Sequence, residues 1–346
     1  MNTRFYDWSK TLSYDAPITM VIGARGIGKT YGIRKQAIKD FFKDGSRFVE
    51  VCRFREEMKI MERNYFDRVG NEFPEYVFKI ERDCGYIAKQ CENPKNQNWE
   101  LLCYFVAMSS FQIMKKATFN NVRRIIMDEC VIERSDKFHR YLPDEWNILT
   151  NIVSSVSRER PDSDTHVRLY LLGNACNIIN PYFEHIKVTG TPERGYSWHD
   201  NKTVLLHYPD DISYVQGMDK TLAGLMMQGT KTNDIAINNT FVNPELFLIE
   251  DKTPNSKYLC TFLYRDKELA IWVDERNGMY YFNDKTPKDS TATYALTLDE
   301  EPNYPVLKKR IQLLQVIADA YRMRICRFST PAIHGLTRDI VAFVGN

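Results

Sequence analysis

Short apolar runs alternate with amphipathic stretches through the first half of the chain. Residues 17–22 (PITMVI), 47–54 (RFVEVCRF), 101–108 (LLCYFVAM), 122–127 (VRRIIM) and 167–173 (VRLYLLG) each read as a buried strand. Between them, residues 29–43 and 143–160 carry apolar positions at helical spacing, and Gly45 stops the first of these helices. Nearly continuous apolar strands separated by helices predict an open, largely parallel α/β sheet. Residues 55–100 break the pattern. A charged helix ending before Pro74 and two short aromatic strands, YVFKIE and YIAKQC, predict an insertion packed on the sheet edge.

Beyond residue 208 the periodicity weakens. MDKTLAGLMMQG has a short amphipathic look and TKTNDIAINN is polar, so 208–245 reads as a linker or small helical subdomain. Residues 247–298 then change style. FLIED, KYLCTFLYRDKELAIWVDERNGMYYFND and TYALTL predict successive strands with tight turns, one at Asn277-Gly278. A helical segment follows near 305–323. The expected organisation is a first domain over 1–207 with its insertion at about 55–100, the linker over 208–245, and a smaller α+β domain over 246–346.

A length of 346 residues fits about two domains. Lys plus Arg is 47 and Asp plus Glu is 45, and the resulting +2 argues against a uniformly coated nucleic-acid binder. It leaves room for a local basic loop, because counterion release depends on the phosphates contacted and not on net charge. None of the eight cysteines forms a CxxC pair, and several lie in apolar runs, which predicts a reducing cytosolic setting and no zinc site. The N-terminus lacks a signal-peptide core, and no apolar run reaches the ~18 residues of a membrane span. The expectation is a soluble intracellular protein without a membrane partner.

The chemistry is concentrated at one contiguous motif. Gly23-Ala24-Arg25-Gly26-Ile27-Gly28-Lys29-Thr30 matches G-x4-G-K-[ST] in full and stands between a buried strand and a helix. Glycines let the backbone turn so that its N–H groups converge on a β-phosphate, and the helix adds its positive N-terminal end. Lys29 would reach the β- and γ-phosphates of ATP, and the Thr30 hydroxyl would ligate Mg²⁺. Asp128 follows an apolar strand, as a Walker B carboxylate does, and would hold Mg²⁺ through water. Glu129 beside it suits a general base for the attacking water. Two acids at a strand end can also simply cap the next helix. Asn174 stands at the end of the strand stretch VRLYLLGNA, where it would sense the γ-phosphate or orient water, or merely form a turn. Arg158 and Arg160 end a helix. Either is a candidate arginine finger for a neighbouring subunit, while helix-dipole compensation explains both equally well. Phe5, Tyr6, Trp8 and Tyr14 are open to stacking on a base or to packing in the core.

These residues resemble a known family. The runs SYDAPITMVIGARGIGKTYG, VEVCRFR, IIMDE, SRER, LLGNACNIINPYF and LAIWVDERNGMYY are similar to the DNA-packaging ATPases of small phi-29-like phages, and they spread over most of the chain. Arg25 also fits viral packaging motors. The resemblance implies an ASCE-type P-loop ATPase domain and a degenerate, RNase H-like nuclease domain at the C-terminus. It also implies a homo-oligomeric ring of five subunits that acts in the host cytoplasm, transiently at the portal vertex of a prohead, and moves double-stranded viral DNA. Some relatives dock on a scaffold RNA. Residue by residue, the resemblance favours Arg158 over Arg160 as the trans-acting finger. It places Arg55 in the lid or at the subunit interface, and turns Lys115 and Lys116 toward DNA in the pore. Two adjacent lysines are otherwise an ordinary solvated surface. The loop after Walker B, with Arg134, is a second DNA candidate.

The strand YLCTFLY carries no acid, and Asp274 and Asp299 have no obvious third partner, so no nuclease activity is expected. Lys252, Lys257, Arg265, Lys267 and Arg276 fit nucleic-acid or portal contacts as well as solvated hairpin turns. The competing functions are a different P-loop machine, such as a helicase or remodelling ATPase, and a nucleotide-gated binding or scaffold protein with little turnover.

Overall fold

The computed structural model describes residues 5–93, 96–111, 118–132, 140–157, 167–188, 190–210, 222–227, 241, 246–300 and 303–345. The chain forms two compact units. One comprises residues 1–177 with 191–242, and the other 178–190 with 243–346.

The first unit is built on a nine-stranded sheet. Its strands are β1 (Ile18–Ile22), β2 (Arg47–Cys52), β3 (Tyr76–Glu81), β4 (Cys84–Lys89), β5 (Glu100–Ala107), β6 (Val122–Met127), β7 (Arg168–Gly173), β8 (Gly195–His199) and β9 (Val204–Tyr208). They lie in the order β3-β4-β5-β2-β6-β7-β1-β9-β8. The neighbours β2, β6, β7 and β1 run parallel. Their C-terminal ends therefore share one edge, where ligands bind in open α/β sheets. One strand, β7, stands between β1 and β6. Met20, Val21 and Ile22 on β1, and Ile125, Ile126 and Met127 on β6, are all buried, which accounts for the unbroken apolar runs of these strands.

Helix α1 (Trp8–Ser13) precedes β1, α2 (Lys29–Asp44) follows the glycine-rich turn, and α3 (Arg55–Arg63) follows β2. The expected edge insertion is present as the antiparallel β3–β4 hairpin beside β5. The charged helix is shorter than its sequence suggests, ending at Arg63. After Asn64 the chain turns, so that Tyr65 is buried and donates to the Glu50 carboxylate at 2.7 Å. The antiparallel β8–β9 pair was not anticipated. Its turn holds Asp200, Asn201 and Lys202 at positive φ. Helix α4 (Glu145–Ser157) occupies most of the predicted 143–160 stretch.

In the second unit, residues 178–190 carry α5 (Pro181–His185), whose N-terminus is capped by the Asn180 side chain. Strands β10 (Lys257–Tyr264), β11 (Lys267–Asp274) and β12 (Met279–Asn283) form the expected antiparallel meander. Strands β13 (Thr293–Ala295) and β14 (Cys326–Phe328) flank it in parallel pairings. FLIED is not a strand. Leu246–Leu248 is a 3-10 turn, and Ile249 makes a single bridge to Phe328. The first unit also contains a short helix, α6 (Leu222–Met227). Helices α7 (Gln312–Arg322) and α8 (Pro331–Gly345) share the second unit's core with the sheet, Leu314, Ile317, Ile333 and Ile340 clustering with Phe262, Ile271, Phe282 and Phe328. Among the described residues no helix is long and apolar enough to cross a membrane.

Candidate active site

Four parallel strand ends deliver the site. The glycine-rich turn leaves β1, Arg53 leaves β2, Asp128 and Glu129 leave β6, and Asn174 leaves β7. Gly26 and Gly28 sit at φ +80° and +85°, in the left-handed region where a side chain is strained. Gly28 is also the N-cap of α2, so no capping side chain satisfies the first-turn N–H groups. An anion fits such a helix start. The turn is held from behind. Gly23 N–H donates to Gly173 O at 3.1 Å, Tyr6 N–H donates to Ile27 O at 2.7 Å, and the Trp8 indole donates to Lys29 O at 2.9 Å. Tyr6 and Trp8 are thus core braces of the turn, whereas Phe5 is exposed beside Gly28.

Lys29 is buried. Its Nζ donates to Gly23 O at 2.9 Å, Ala24 O at 2.7 Å and Asn174 Oδ1 at 3.4 Å. The Thr30 hydroxyl donates to Asp128 Oδ2 at 2.8 Å, so the two candidate Mg²⁺ ligands, 98 residues apart in sequence, are already in contact. Hydroxyl plus carboxylate is the hard oxygen donor set that Mg²⁺ takes while keeping several waters. The residues present fit the metal.

Glu129 opens into a cavity of about 750 Å³. Arg25, Arg34, Arg53, Asp128, Glu129 and Asn174 are among its walls. That volume lies within the roughly 300–1,000 Å³ of small-molecule sites. Removal from water and then the Asp128 charge raise the pKa of Glu129, opposed by Arg25 and Arg53. A carboxylate shifted this way is a better proton acceptor. Glu129 also holds φ +53°, which costs a non-glycine residue about 1–3 kcal/mol unless its surroundings enforce it. Asp128 Oδ1 accepts from Glu129 N–H at 2.9 Å, and Cys130 N–H donates to Leu172 O at 2.7 Å.

Arg53, a residue the sequence analysis does not single out, also enters the site. Its guanidinium is buried, donates to Glu129 O at 2.7 Å and Cys130 O at 2.5 Å, and pairs with buried Glu145. Arg55 instead pairs with Asp83 at 3.1 Å on the surface. The signal for Arg53 was its place directly after a buried strand. Glu145 offered only its position at a helix start. Arg34 is a further unanticipated wall residue, paired with the fully buried Glu50 carboxylate. Arg158, Arg160, Lys115, Lys116 and Arg134 lie outside the described residues. In the second unit, Asp274 accepts from the Thr253 hydroxyl at 2.5 Å and from Arg276 N–H at 3.0 Å, a turn-closing role. Lys257 pairs with Glu275, and Lys252 lies over the Trp272 ring.

Comparison with known proteins agrees with this geometry. A family model described as podovirus DNA encapsidation protein (Gp16) matches residues 1–341. The chain is 32% identical over 289 residues to a DNA packaging protein of Bacillus phage B103, covering 84% of each. It is 28% identical over 339 residues to the DNA packaging protein of Bacillus phage phi29, covering 97% of this chain and 96% of the relative. A solved structure of the bacteriophage Phi-29 viral genome packaging motor assembly contains a chain that is 26% identical. The match covers 99% of this chain and 100% of that one, with a TM-score of 0.67. A glycine-rich turn, two acids at a neighbouring strand end and a match that runs nearly end to end lead to one assignment: the chain belongs to the podovirus DNA encapsidation protein (Gp16) family.

Proposed function

We propose that this protein hydrolyses ATP to drive double-stranded viral DNA into a prohead, as one subunit of a ring motor. The observation that carries the reading is the convergence of Lys29, the Thr30–Asp128 pair, Glu129 and Asn174 on one sheet edge. Family membership supports the substrate and the setting.

The glycine-rich turn and the uncapped start of α2 would receive the β-phosphate on backbone N–H groups. Lys29 would exchange its turn carbonyls for phosphate oxygens. Thr30 and Asp128 would hold Mg²⁺, which neutralises developing charge on the phosphates when bound. Glu129 would accept the proton of the attacking water, and Asn174, already near the Lys29 ammonium, would orient that water or sense the γ-phosphate. Arg158 would act in trans as the finger in preference to Arg160, Arg55 would work at the lid or interface, and Lys115, Lys116 and Arg134 would meet DNA phosphates. The reading extends to an ASCE-type domain, to which the single strand between β1 and β6 lends support, and to a second unit derived from an RNase H-like nuclease. It includes a pentameric ring at the portal, with scaffold RNA as a further partner.

The test is nuclease protection. Purified protein, empty proheads and linear duplex DNA should yield ATP-dependent protection of the DNA. Unwinding of a tailed duplex without proheads, and no protection with them, would reassign the protein to the helicases.

A further inference from the structure

The guanidinium of Arg53 occupies an unusual position. It is 5% exposed, directly beneath the loop that carries Glu129. Its Nη1 donates to Glu129 O at 2.7 Å and its Nη2 to Cys130 O at 2.5 Å. Its Nε donates to both Glu145 carboxylate oxygens, at 3.0 and 3.1 Å. Glu145 is 1% exposed, stands in the first turn of α4, and also accepts from Leu142 N–H at 2.8 Å. The Tyr141 ring lies 5.1 Å from the guanidinium, and its hydroxyl accepts from Ile132 N–H at 2.9 Å. Two successive carbonyls, a carboxylate and an aromatic face thus surround one planar group. Five N–H donors in a fixed fork match that arrangement, and a lysine ammonium, with three donors from one point, does not.

Two carbonyls pointing the same way past a left-handed residue is an arrangement that a free strand end does not keep. The alternative is a passive ion pair that fills the space between β2 and α4. A passive pair would stop at the carboxylate, yet here Nη1 donates to Glu129 O, and Nη2, which also lies 2.9 Å from Glu145 Oε1, donates to Cys130 O. We infer that Arg53, oriented by Glu145, is a positioning residue that fixes the backbone at Glu129–Cys130 and so aims the Glu129 carboxylate at the attacking water. The Glu145 end of the clamp ties that loop to α4. The inference rests on the reading of Glu129 as the hydrolytic base.

Three full-length variants test it: Arg53→Lys, Glu145→Gln and the pair together. Each is assayed on proheads with DNA for steady-state kcat, and for affinity toward a slowly hydrolysed ATP analogue. Arg53→Lys keeps the charge for Glu145 but cannot span both carbonyls, so kcat should fall roughly 10–100-fold, the usual cost of removing a supporting contact, with analogue affinity within about twofold. Glu145→Gln should lower kcat in the same direction, and the double variant should be no worse than Arg53→Lys alone, because both act through one clamp. Wild-type kcat in Arg53→Lys overturns the inference, as do multiplicative losses in the double variant. Equal losses of kcat and affinity also overturn it, since they mark a structural role only. If Arg53→Lys fails to fold, Glu145→Gln carries the test alone, with wild-type kcat as the contrary result. Glu129→Gln is run in parallel. Retained turnover in that variant would sink the reading of the base itself, whereas a dead Glu129→Gln beside a normal Arg53→Lys would sink only the clamp.

Discussion

The two units treat their buried polar groups in opposite ways. In the first, buried Lys29 stands beside the Thr30–Asp128 pair and buried Arg53 pairs with buried Glu145, at adjacent strand ends, with Arg53 and Asp128 both walls of one cavity. In the second, Asp274 closes a turn, Asn283 accepts from the Trp272 indole, and the Oε1 of half-buried Glu184 is buried with no hydrogen bond. Among the described residues no group of three or more His, Cys, Asp or Glu side chains is placed to hold a metal. Both units bury polar atoms at a cost, but only the first spends that cost on a shared point in space. Convergence, and not the number of buried polar groups, separates a reactive centre from a scaffold.

The largest effect that can break this contrast is on turnover. Lys29→Ala should abolish ATP hydrolysis while leaving the melting of the second unit unchanged, as read by phosphate release and calorimetry. Substantial turnover in that variant would place the chemistry elsewhere.

The next effect belongs to the second unit and depends on pH. The Glu184 carboxylate on α5 sits where a Cβ on Gly335 would collide with it, and burial pushes its pKa up from 4.5 to about 7. Between these values the folded state keeps a proton that the unfolded chain has released, so stability falls as pH rises through this window. The full penalty applies above about pH 7. At about 1.4 kcal/mol per unit, Glu184→Gln should stabilise the second unit by up to about 3 kcal/mol at pH 8, with the gain vanishing near pH 4.5. A gain that is independent of pH would mean the carboxylate is solvated.

Asp274→Asn should lower the melting temperature of the second unit by a few degrees, through the Thr253 contact and the 274–278 turn, and leave ATP turnover untouched. Lost turnover there would give the second unit a chemical role. The smallest effect is expected at Arg55. Its pair with Asp83 is exposed, so Arg55→Ala should cost under about 1 kcal/mol of stability. A large loss of DNA-stimulated turnover in assembled rings, with stability intact, would sharpen the contrast by assigning Arg55 to the subunit interface.

Much of the first unit was legible in the sequence because its signals are local. The glycine-rich turn is one contiguous octapeptide, and the strands of a parallel sheet are apolar on both faces. The Arg53–Glu145 clamp was not legible, since its members lie 92 residues apart and only tertiary folding joins them. With Arg53 and Arg55 both flanking Phe54, sequence alone had no means to tell which one turns inward. The β8–β9 pair escaped notice because GYSWH alternates weakly and its turn, Asp200-Asn201-Lys202, lacks glycine. FLIED looked like a strand by composition, but only Ile249 finds a sheet partner. The shortened charged helix has a similar cause: burial of Tyr65 against Glu50 outweighs the propensity to continue.

Single-turnover phosphate release by Glu129→Gln, loaded with ATP and Mg²⁺ on DNA-engaged proheads, addresses the site most directly. Nucleotide should bind with near wild-type affinity while release slows by roughly 10²–10⁴-fold, the range of general-base contributions. Release at the wild-type rate from a variant that binds nucleotide normally would contradict the assignment of the chemistry to the strand end beside Lys29.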